Sequence, residues 1–243
     1  MDSFMKLAGK RVVVLGGTSG FGLATAKAAA AEGAEVIVVS SRKESVEEAV
    51  KALPERLAGH VADMGDEDAV KSLFEKIGAF DHLVYTAGDT LSLMTMGEMD
   101  MAKARRFFEI RYWGMLMAAT YGSRKMNKGG SITLTNGIVG MRPWKGWAVP
   151  ASVSGAVESL TRALAVELAP LRVNAVCAGV VNTNLWSGMS DGERKGFFEN
   201  TANTLPVGRV GEPEDIAGAY LYLMKQGYMT GQMMVVDGGS VLV

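Results

Sequence analysis

The sequence predicts an α/β protein with a single doubly wound parallel sheet and helices on both of its faces. Seven short apolar runs alternate with helical patterns along the 243 residues. Most runs are apolar at successive positions, which is typical of strands buried on both faces. The length fits one large domain, so we expect a single unit over residues 1–243.

The elements follow one another in a regular order. The predicted strands are RVVVLGG (11–17), AEVIVVS (34–40), the weaker RLAGHVAD (56–63), DHLVYTAG (81–88), GSITLTN (130–136), LRVNAVCAG (171–179) and QMMVVDGG (232–239). About six helices connect them, and long helices are expected at 100–125 and 151–169. A less regular stretch contains SDGE (190–193), a capping-box pattern, and we expect a small substrate lid at about 184–210.

Composition excludes several classes of function. Apolar residues make up 48% of the chain, and 25 basic residues balance 26 acidic ones without a basic stripe. We therefore expect no nucleic-acid partner and no membrane partner. The one cysteine, Cys177, fits a reducing compartment, and no signal core or long apolar stretch is present, which favours a cytoplasmic protein. His60 and His82 lie too far apart for a metal site with that cysteine.

A glycine-rich turn follows the first predicted strand and precedes an alanine-rich helix. Glycine in such a turn lets backbone N–H groups approach a pyrophosphate, which the positive end of the helix attracts. An ordinary glycine-rich turn would have the same composition, but its position in the first βα unit favours a nucleotide. The binding residues predicted here are Gly16, Thr18, Ser19, Gly20, Phe21 and Gly22.

The end of the second predicted strand distinguishes between nicotinamide cofactors. NAD-binding proteins place a carboxylate there for the ribose 2′-hydroxyl, whereas this chain has Ser41 and Arg42. Ser45 and Glu48 match a capping box, which would put Arg42 just before a helix start, where the dipole disfavours a cation. A solvated turn is one interpretation of this position. A hydroxyl and a guanidinium suit a 2′-phosphate better, so we predict NADP(H).

Two further strand ends belong to the predicted nucleotide site. Asp63, with Met64 beside it, closes the third strand, where its carboxylate could accept a hydrogen bond from an adenine amino group. Capping of the following helix is an equally good interpretation of Asp63. Ala87 and Gly88 end the fourth strand and are small enough for a nucleotide to pass closely.

Taken together, these motifs resemble the short-chain dehydrogenase/reductase family over essentially the whole chain. The supporting segments are GGTSGFG (16–22), ADM (62–64), TAG (86–88), RVNAVCAGVVNT (172–183) and GYMTGQMMVVDGG (227–239). The resemblance implies a Rossmann-type sheet with strand order 3-2-1-4-5-6-7. It also implies that Val181 and Thr183 hold the nicotinamide end of the cofactor, and that the protein is a homo-oligomer, a tetramer or a dimer.

The resemblance fails at the residues that carry the family's chemistry. That chemistry rests on an Asn–Ser–Tyr–Lys set, and the corresponding positions here are Arg111, Gly137, Pro150 and Ser154. Proline fits the first turn of the predicted helix, where its missing N–H costs nothing. It cannot donate a proton, and serine brings no charge. The sequence therefore predicts an atypical active site.

Two classes of function remain open. One is an NADP(H)-dependent oxidoreductase acting on an activated carbonyl, imine or quinone-type small molecule, with Arg111 as an electrostatic clamp and Asn136 as an oxyanion donor. A surface arginine and a strand-end turn residue are the alternative interpretations of those two side chains. Tyr112, Tyr85 and Lys145 are reserve proton donors. The other class is a non-catalytic NADP(H)-binding sensor, scaffold or structural subunit.

The loop at 137–149 is predicted to line the substrate side. Its Trp144 and Trp147 flank a lysine and offer two large apolar surfaces, although both could instead cover the edge of the core.

Overall fold

A computed structural model of the chain describes residues 6–52, 57–91 and 93–243. In these ranges seven strands form one sheet in the order β3-β2-β1-β4-β5-β6-β7, and every neighbouring pair is parallel. The strands are β1 (Arg11–Leu15), β2 (Glu35–Ser40), β3 (Leu57–Val61), β4 (Phe80–Tyr85), β5 (Met126–Gly137), β6 (Arg172–Ala178) and β7 (Met233–Val236). The predicted fold class and strand order are confirmed.

Eight α-helices lie in the described ranges. They are α1 (Gly20–Ala31), α2 (Lys43–Lys51), α3 (Glu67–Ile77), α4 (Met101–Phe108), α5 (Gly114–Gly122), α6 (Ala148–Glu167), α7 (Asp191–Thr204) and α8 (Pro213–Lys225). The helix predicted at 100–125 is confirmed as a continuous helical run from Met101 to Gly122, in which a π-helical turn at Glu109–Trp113 joins α4 to α5. The irregular stretch before α8 contains α7, a helix that begins at the predicted capping-box pattern.

The sheet is buried on both faces, which explains why its strands are apolar at successive positions. Val12 and Val14 of β1 belong to one core cluster, and Val13 and Leu15 belong to the other. All four side chains are fully buried. Because side chains alternate across a strand, a strand covered by helices on both sides needs apolar residues at every position.

Helix starts agree with the predictions in part. Ser190 and Glu193 form the predicted capping box of α7, and Pro150 lies in the first turn of α6, as expected. The capping box predicted at Ser45 and Glu48 is wrong, because α2 already begins at Lys43.

The cap of α3 also differs from the sequence interpretation. Asp66 caps this helix, and its carboxylate accepts hydrogen bonds from the backbone N–H groups of Asp68 and Ala69 at 3.0 and 3.1 Å. Asp63 lies one turn earlier, where its carboxylate accepts from the N–H of Gly65 at 2.9 Å. Capping of α3 by Asp63 is therefore wrong.

The described ranges contain neither a helix suited to a membrane nor a cluster of metal ligands. In these ranges no helix combines the length and the apolar character that a membrane crossing requires. The same part of the chain contains no group of three or more His, Cys, Asp or Glu side chains arranged to hold a metal ion.

A buried histidine makes stability depend on pH. His82 of β4 is 5% exposed, and its Nδ1 lies 2.9 Å from Ser131 Oγ. Burial lowers its pKa to about 4, although the neighbouring Asp81 carboxylate acts in the opposite direction. As the pH falls, the unfolded chain, with a histidine pKa near 6.5, takes up a proton before the folded protein does. The contribution of neutral His82 to the free energy of unfolding is therefore fully present above pH 6.5 and is lost toward pH 4.

We expect His82 to account for a loss on the order of 3 kcal/mol in the free energy of unfolding as the pH falls through that window. Urea denaturation of the wild type and of His82→Asn at a series of pH values measures it. In the variant, the free energy of unfolding should no longer show the part of its pH dependence that comes from His82. Parallel pH profiles for the two proteins would contradict the prediction.

Candidate active site

A cavity of about 850 Å³ runs along the carboxyl edge of the sheet. The carboxyl ends of parallel strands meet at one edge, so the turns that follow β1 to β6 all contribute to its wall. The predicted site residues in the wall are Gly16, Thr18, Ser19, Gly20, Phe21, Gly22, Ser41, Arg42, Asp63, Met64, Ala87, Gly88, Arg111, Asn136 and Thr183. Val181 is buried beside the cavity, and its neighbour Val180 forms the wall in its place.

The glycine-rich turn fits a pyrophosphate. Gly16 has a φ of +83°, and a Cβ there would lie 2.5 Å from the backbone nitrogen of Ala87. A Cβ on Gly22 would collide with the carbonyl oxygen of Gly16. Ser19 precedes α1 without a side-chain cap, and the first turn of this helix carries no acidic residue. The N–H groups at the start of α1 are therefore available to an anion.

We call the end of the cavity beside Ser41 and Arg42 its outer end, and this end carries positive charge. β2 ends at Ser40, whose hydroxyl accepts a hydrogen bond from the N–H of Arg42 at 3.3 Å. Arg42 is the N-cap residue of α2, with an exposed side chain, and both Ser41 and Arg42 border the cavity. A guanidinium at this end fits a phosphate monoester better than it fits a free hydroxyl.

Arg111 lies on the π-helical turn and lines the cavity, and we call the part of the cavity beside it the inner end. Its Nη2 donates to the carbonyl oxygen of Asp89, and its guanidinium carbon lies 4.2 Å from the centre of the Phe107 ring. Nη1 is buried without a hydrogen-bond partner in the described ranges. Burial lowers the pKa of Arg111 to about 10, although the charge of Asp89 acts in the opposite direction. The group therefore stays charged at neutral pH, and a surface arginine is the wrong description.

The π-helical turn is held by Tyr85, one of the reserve proton donors. The Tyr85 hydroxyl donates to the carbonyl oxygen of Ile110 at 2.5 Å. Burial raises its pKa well above the usual value. Gly114 makes this contact possible, because a Cβ there would collide with the Tyr85 hydroxyl and lie 2.8 Å from the carbonyl oxygen of Met64.

The reserve proton donors do not lie in the cavity wall. Tyr85 faces the core, the Tyr112 ring packs against Phe108 and Trp113, and Lys145 is exposed outside the wall. The interpretation of these three residues as proton donors is therefore wrong. Their positions depend on how the π-helical turn and the loop before α6 fold, which residue type alone does not indicate.

Asn136 connects the sheet to α6. Its Nδ2 donates to the carbonyl oxygen of Ser154 at 3.0 Å, which leaves one amide hydrogen for another acceptor. Pro150 and Ser154 are buried in the wall, on one face of α6. Among the described wall residues there is no tyrosine, lysine, histidine, cysteine or glutamate. The ionisable side chains of this wall are those of Arg42, Asp63, Asp89 and Arg111.

The substrate side of the cavity is aromatic. Trp144 and Trp147 line it, as predicted for their loop, with ring centres 5.2 Å apart. Trp186 also lies in the wall, and its Nε1 donates to the carbonyl oxygen of Val181 at 2.9 Å. The sequence interpretation missed Trp186 and Asp89. Asp89 directly follows TAG at the end of β4, and Trp186 comes three residues after Thr183 of VVNT. These positions are the signals that could have found them.

Comparisons with known proteins agree with this geometry. A family model described as enoyl-(acyl carrier protein) reductase matches residues 16–241. The short-chain dehydrogenase/reductase ATR9 of Stachybotrys chlorohalonatus is 36% identical, in an alignment that covers 97% of this chain and 98% of that protein. The chain belongs to the short-chain dehydrogenase/reductase family. It is thus an oxidoreductase by family, as the motifs suggested.

Solved structures of the short-chain dehydrogenase/reductase family are similar over nearly the full chain. A small-chain dehydrogenase in complex with NADPH is 37% identical, with a TM-score of 0.83 and coverage of 97% of this chain and 100% of that one. MalC reductase/Diels-Alderase from Malbranchea aurantiaca is 29% identical, with a TM-score of 0.91 and coverage of 99% and 100%. The NADPH complex confirms the predicted cofactor class for the family fold.

The π-helical turn that carries Arg111 depends on Gly114. We expect Gly114→Ala to lower the free energy of unfolding by about 1–3 kcal/mol, because the added methyl meets the Tyr85 hydroxyl and a backbone carbonyl. Gly155→Ala is the matched control, since a Cβ there meets no atom within 4 Å, and it should stabilise α6 by up to about 1 kcal/mol. Urea denaturation measures both changes, and equal effects at the two glycines would contradict the prediction.

Proposed function

We propose that this protein is an NADPH-dependent reductase with non-classical catalytic residues. Its substrate would be a small molecule with an activated carbonyl, imine or quinone-type group. The observation that carries the proposal is the composition of the cavity wall. A nucleotide cradle leads to a partly buried guanidinium, with no phenol and no amine among the described wall residues.

The cofactor would be held at several strand ends. The N–H groups of the glycine-rich turn bind the pyrophosphate, and Ser41 and Arg42 bind the 2′-phosphate. Asp63 accepts from the adenine amino group, while Ala87 and Gly88 let the nucleotide pass. Thr183 and the backbone at Val181 hold the nicotinamide end. When bound, NADPH supplies a hydride to the acceptor.

Arg111 would stabilise the negative charge that the acceptor gains. Its Nη1 is buried without a partner in the described ranges, so the protein neutralises the charge only in part and leaves it to interact with an oxygen that becomes anionic. The free hydrogen of the Asn136 amide is a second donor to the same oxygen. Positive charge at this end favours a carbonyl or quinone oxygen over a cationic imine.

The proton must come from solvent, because the described wall holds no phenol, imidazole or amine to act as a general acid. The absence of a positioned general acid typically costs 10²–10⁴ in rate. This cost is small when the reduced anion is a weak base, as with a quinone, and large for an isolated ketone. We therefore propose an activated acceptor and slow reduction of simple ketones.

Three structural predictions accompany this function. We propose that residues 184–210, which include α7, act as a lid, since Trp186 packs against Phe197 of that helix at 4.7 Å between ring centres. The NADP(H)-binding unit would span the whole chain. Assembly into a tetramer or dimer stays a prediction.

A second candidate function is a non-catalytic NADP(H)-binding sensor, scaffold or structural subunit. The same observation favours it, because a wall without phenol or amine is also what a binding protein would have. Tight NADPH binding without turnover of any activated acceptor would support this candidate.

Cofactor preference tests the outer end of the cavity. We expect Arg42→Asp to weaken NADPH binding by about 10–100-fold and to reverse the preference toward NADH, because it replaces the charged partner of the 2′-phosphate by a carboxylate. Calorimetric titration with both cofactors measures this. Lys43→Ala is the matched control, because that side chain is exposed but does not line the cavity. Equal affinities of the wild type for NADPH and NADH would contradict the assignment.

Measurements of turnover test the role proposed for the inner end of the cavity. We expect the wild type to oxidise NADPH with quinones and α-diketones but hardly with simple ketones, and Arg111→Met to lower kcat by about 10²-fold through the loss of charge stabilisation. Steady-state absorbance measurements on such a panel test this. Arg105→Met on the exposed face of α4 is the control and should leave kcat unchanged. Fast reduction of a simple ketone, unaffected at Arg111 and Asn136, would overturn the proposed chemistry.

A further inference from the structure

The tryptophans of this chain are concentrated around the cavity. Three of the four, Trp144, Trp147 and Trp186, line it, whereas Trp113 lies outside its wall. The three come from two separate segments, the loop before α6 and the turn after β6. Trp147 lies between the other two, with ring centres 5.2 Å from Trp144 and 6.4 Å from Trp186. Together they form an aromatic wall.

Within the aromatic wall, Trp186 supports the other rings and Trp144 is open to the cavity. Trp186 is 4% exposed, and its indole N–H is bound to the backbone, so it has little surface left for a ligand. Trp144 is 41% exposed although it lines the cavity. A large apolar ring left uncovered at a concave site is typical of a surface that a ligand covers.

The loop holds Trp144 in place. The N–H of Trp147 donates to the carbonyl oxygen of Trp144 at 3.1 Å, and the N–H of Met94 donates to the carbonyl oxygen of Gly146 at 3.1 Å. Gly146 has a φ of +87°, which lets the chain turn between the two rings. The edge-to-face contact with Trp147 fixes the indole further. Trp144 is therefore a pre-organised surface, which lowers the entropy cost of binding a flat ligand.

The charged groups at the inner end of the cavity favour some flat ligands over others. Arg111 keeps a buried donor that has no partner among the described residues, so an acceptor with oxygen atoms is favoured. The Asp89 carboxylate is already paired with Arg106, with 3.4 Å between Oδ2 and Nε. It therefore offers little to a cationic amine, which the charge of Arg111 disfavours in any case.

We propose that the substrate is a planar aromatic compound that carries the reducible carbonyl on its ring system, such as a polycyclic quinone. The ring stacks on Trp144 beside Trp147, and a carbonyl oxygen approaches Arg111. The reaction part of this inference rests on the function proposed above, whereas the binding part does not.

The test compares two α-diketones with the same number of carbons, ortho-naphthoquinone, which is flat and aromatic, and camphorquinone, which is saturated and globular. Calorimetry in the presence of NADP⁺ measures binding of each without turnover. The only cysteine, Cys177, is buried, so arylation of the protein by the quinone is limited. Parallel NADPH oxidation assays, corrected for the uncatalysed rate, measure KM and kcat.

We expect Trp144→Leu to weaken binding of ortho-naphthoquinone about tenfold and to raise its KM by a similar factor, since an aromatic pair is lost while the site stays apolar. Binding of camphorquinone should change less than about twofold. Trp144→Phe should restore most of the affinity for the flat diketone. The control Tyr228→Leu alters an aromatic side chain that is 98% exposed and lies outside the wall, and it should leave both affinities unchanged.

The outcomes separate this inference from the proposed function. Selective, Trp144-dependent binding of the aromatic diketone without any turnover would support the substrate class and overturn the reductase. Turnover of both diketones with equal effects of Trp144→Leu would support the reductase and overturn the aromatic substrate class. Failure of ortho-naphthoquinone to bind the wild-type complex with NADP⁺ would also overturn it.

Discussion

The close contact between the turns that follow β1 and β4 is the constraint on which the cavity depends. The N–H of Thr86 donates to the carbonyl oxygen of Leu15 at 2.7 Å, and the Thr86 hydroxyl reaches the same oxygen at 3.0 Å. Gly16 has no room for a side chain against Ala87. This contact directs the start of α1 along the edge of the sheet, where its free N–H groups face the cavity. The outer and inner ends of the cavity lie on either side of this contact.

The inner end is unusual because the protein keeps a charge there at a cost. A buried guanidinium is stabilised only if its donors are paired, and Arg111 retains one donor without a partner in the described ranges. The Phe107 ring and the Asp89 carbonyl compensate in part. π-helical turns are rare in proteins, and those that do occur often lie at functional sites. The π-helical turn here presents Arg111 to the cavity, and Arg111 is the residue for which we propose charge stabilisation.

Several misinterpretations of the sequence have one physical origin. Ser45 with Glu48, and Asp63 ahead of α3, satisfy capping patterns that depend only on spacing, but the helix start is decided by how the preceding strand leaves the sheet. Tyr85 has the right chemistry for a proton donor, yet its hydroxyl belongs to the backbone of the π-helical turn. Residue type and spacing indicate what a side chain can do, whereas its partner depends on segments far away in the chain.

The sequence by itself determined the layered sheet and the nucleotide end of the cavity. Apolar runs buried on both faces, and glycines in the turn after β1, are local requirements that can be recognised without knowing the neighbours. The sequence also predicted Arg111, Asn136 and the loop that carries Trp144 and Trp147, but only the tertiary structure decided how the inner end is arranged. There, Arg111, Asn136, Pro150 and the three tryptophans of the aromatic wall come from elements separated by up to 75 residues (111 to 186). Their meeting depends on strand register, on the π-helical turn and on the loop before α6. These are products of packing between distant segments, and no local pattern of residues encodes them.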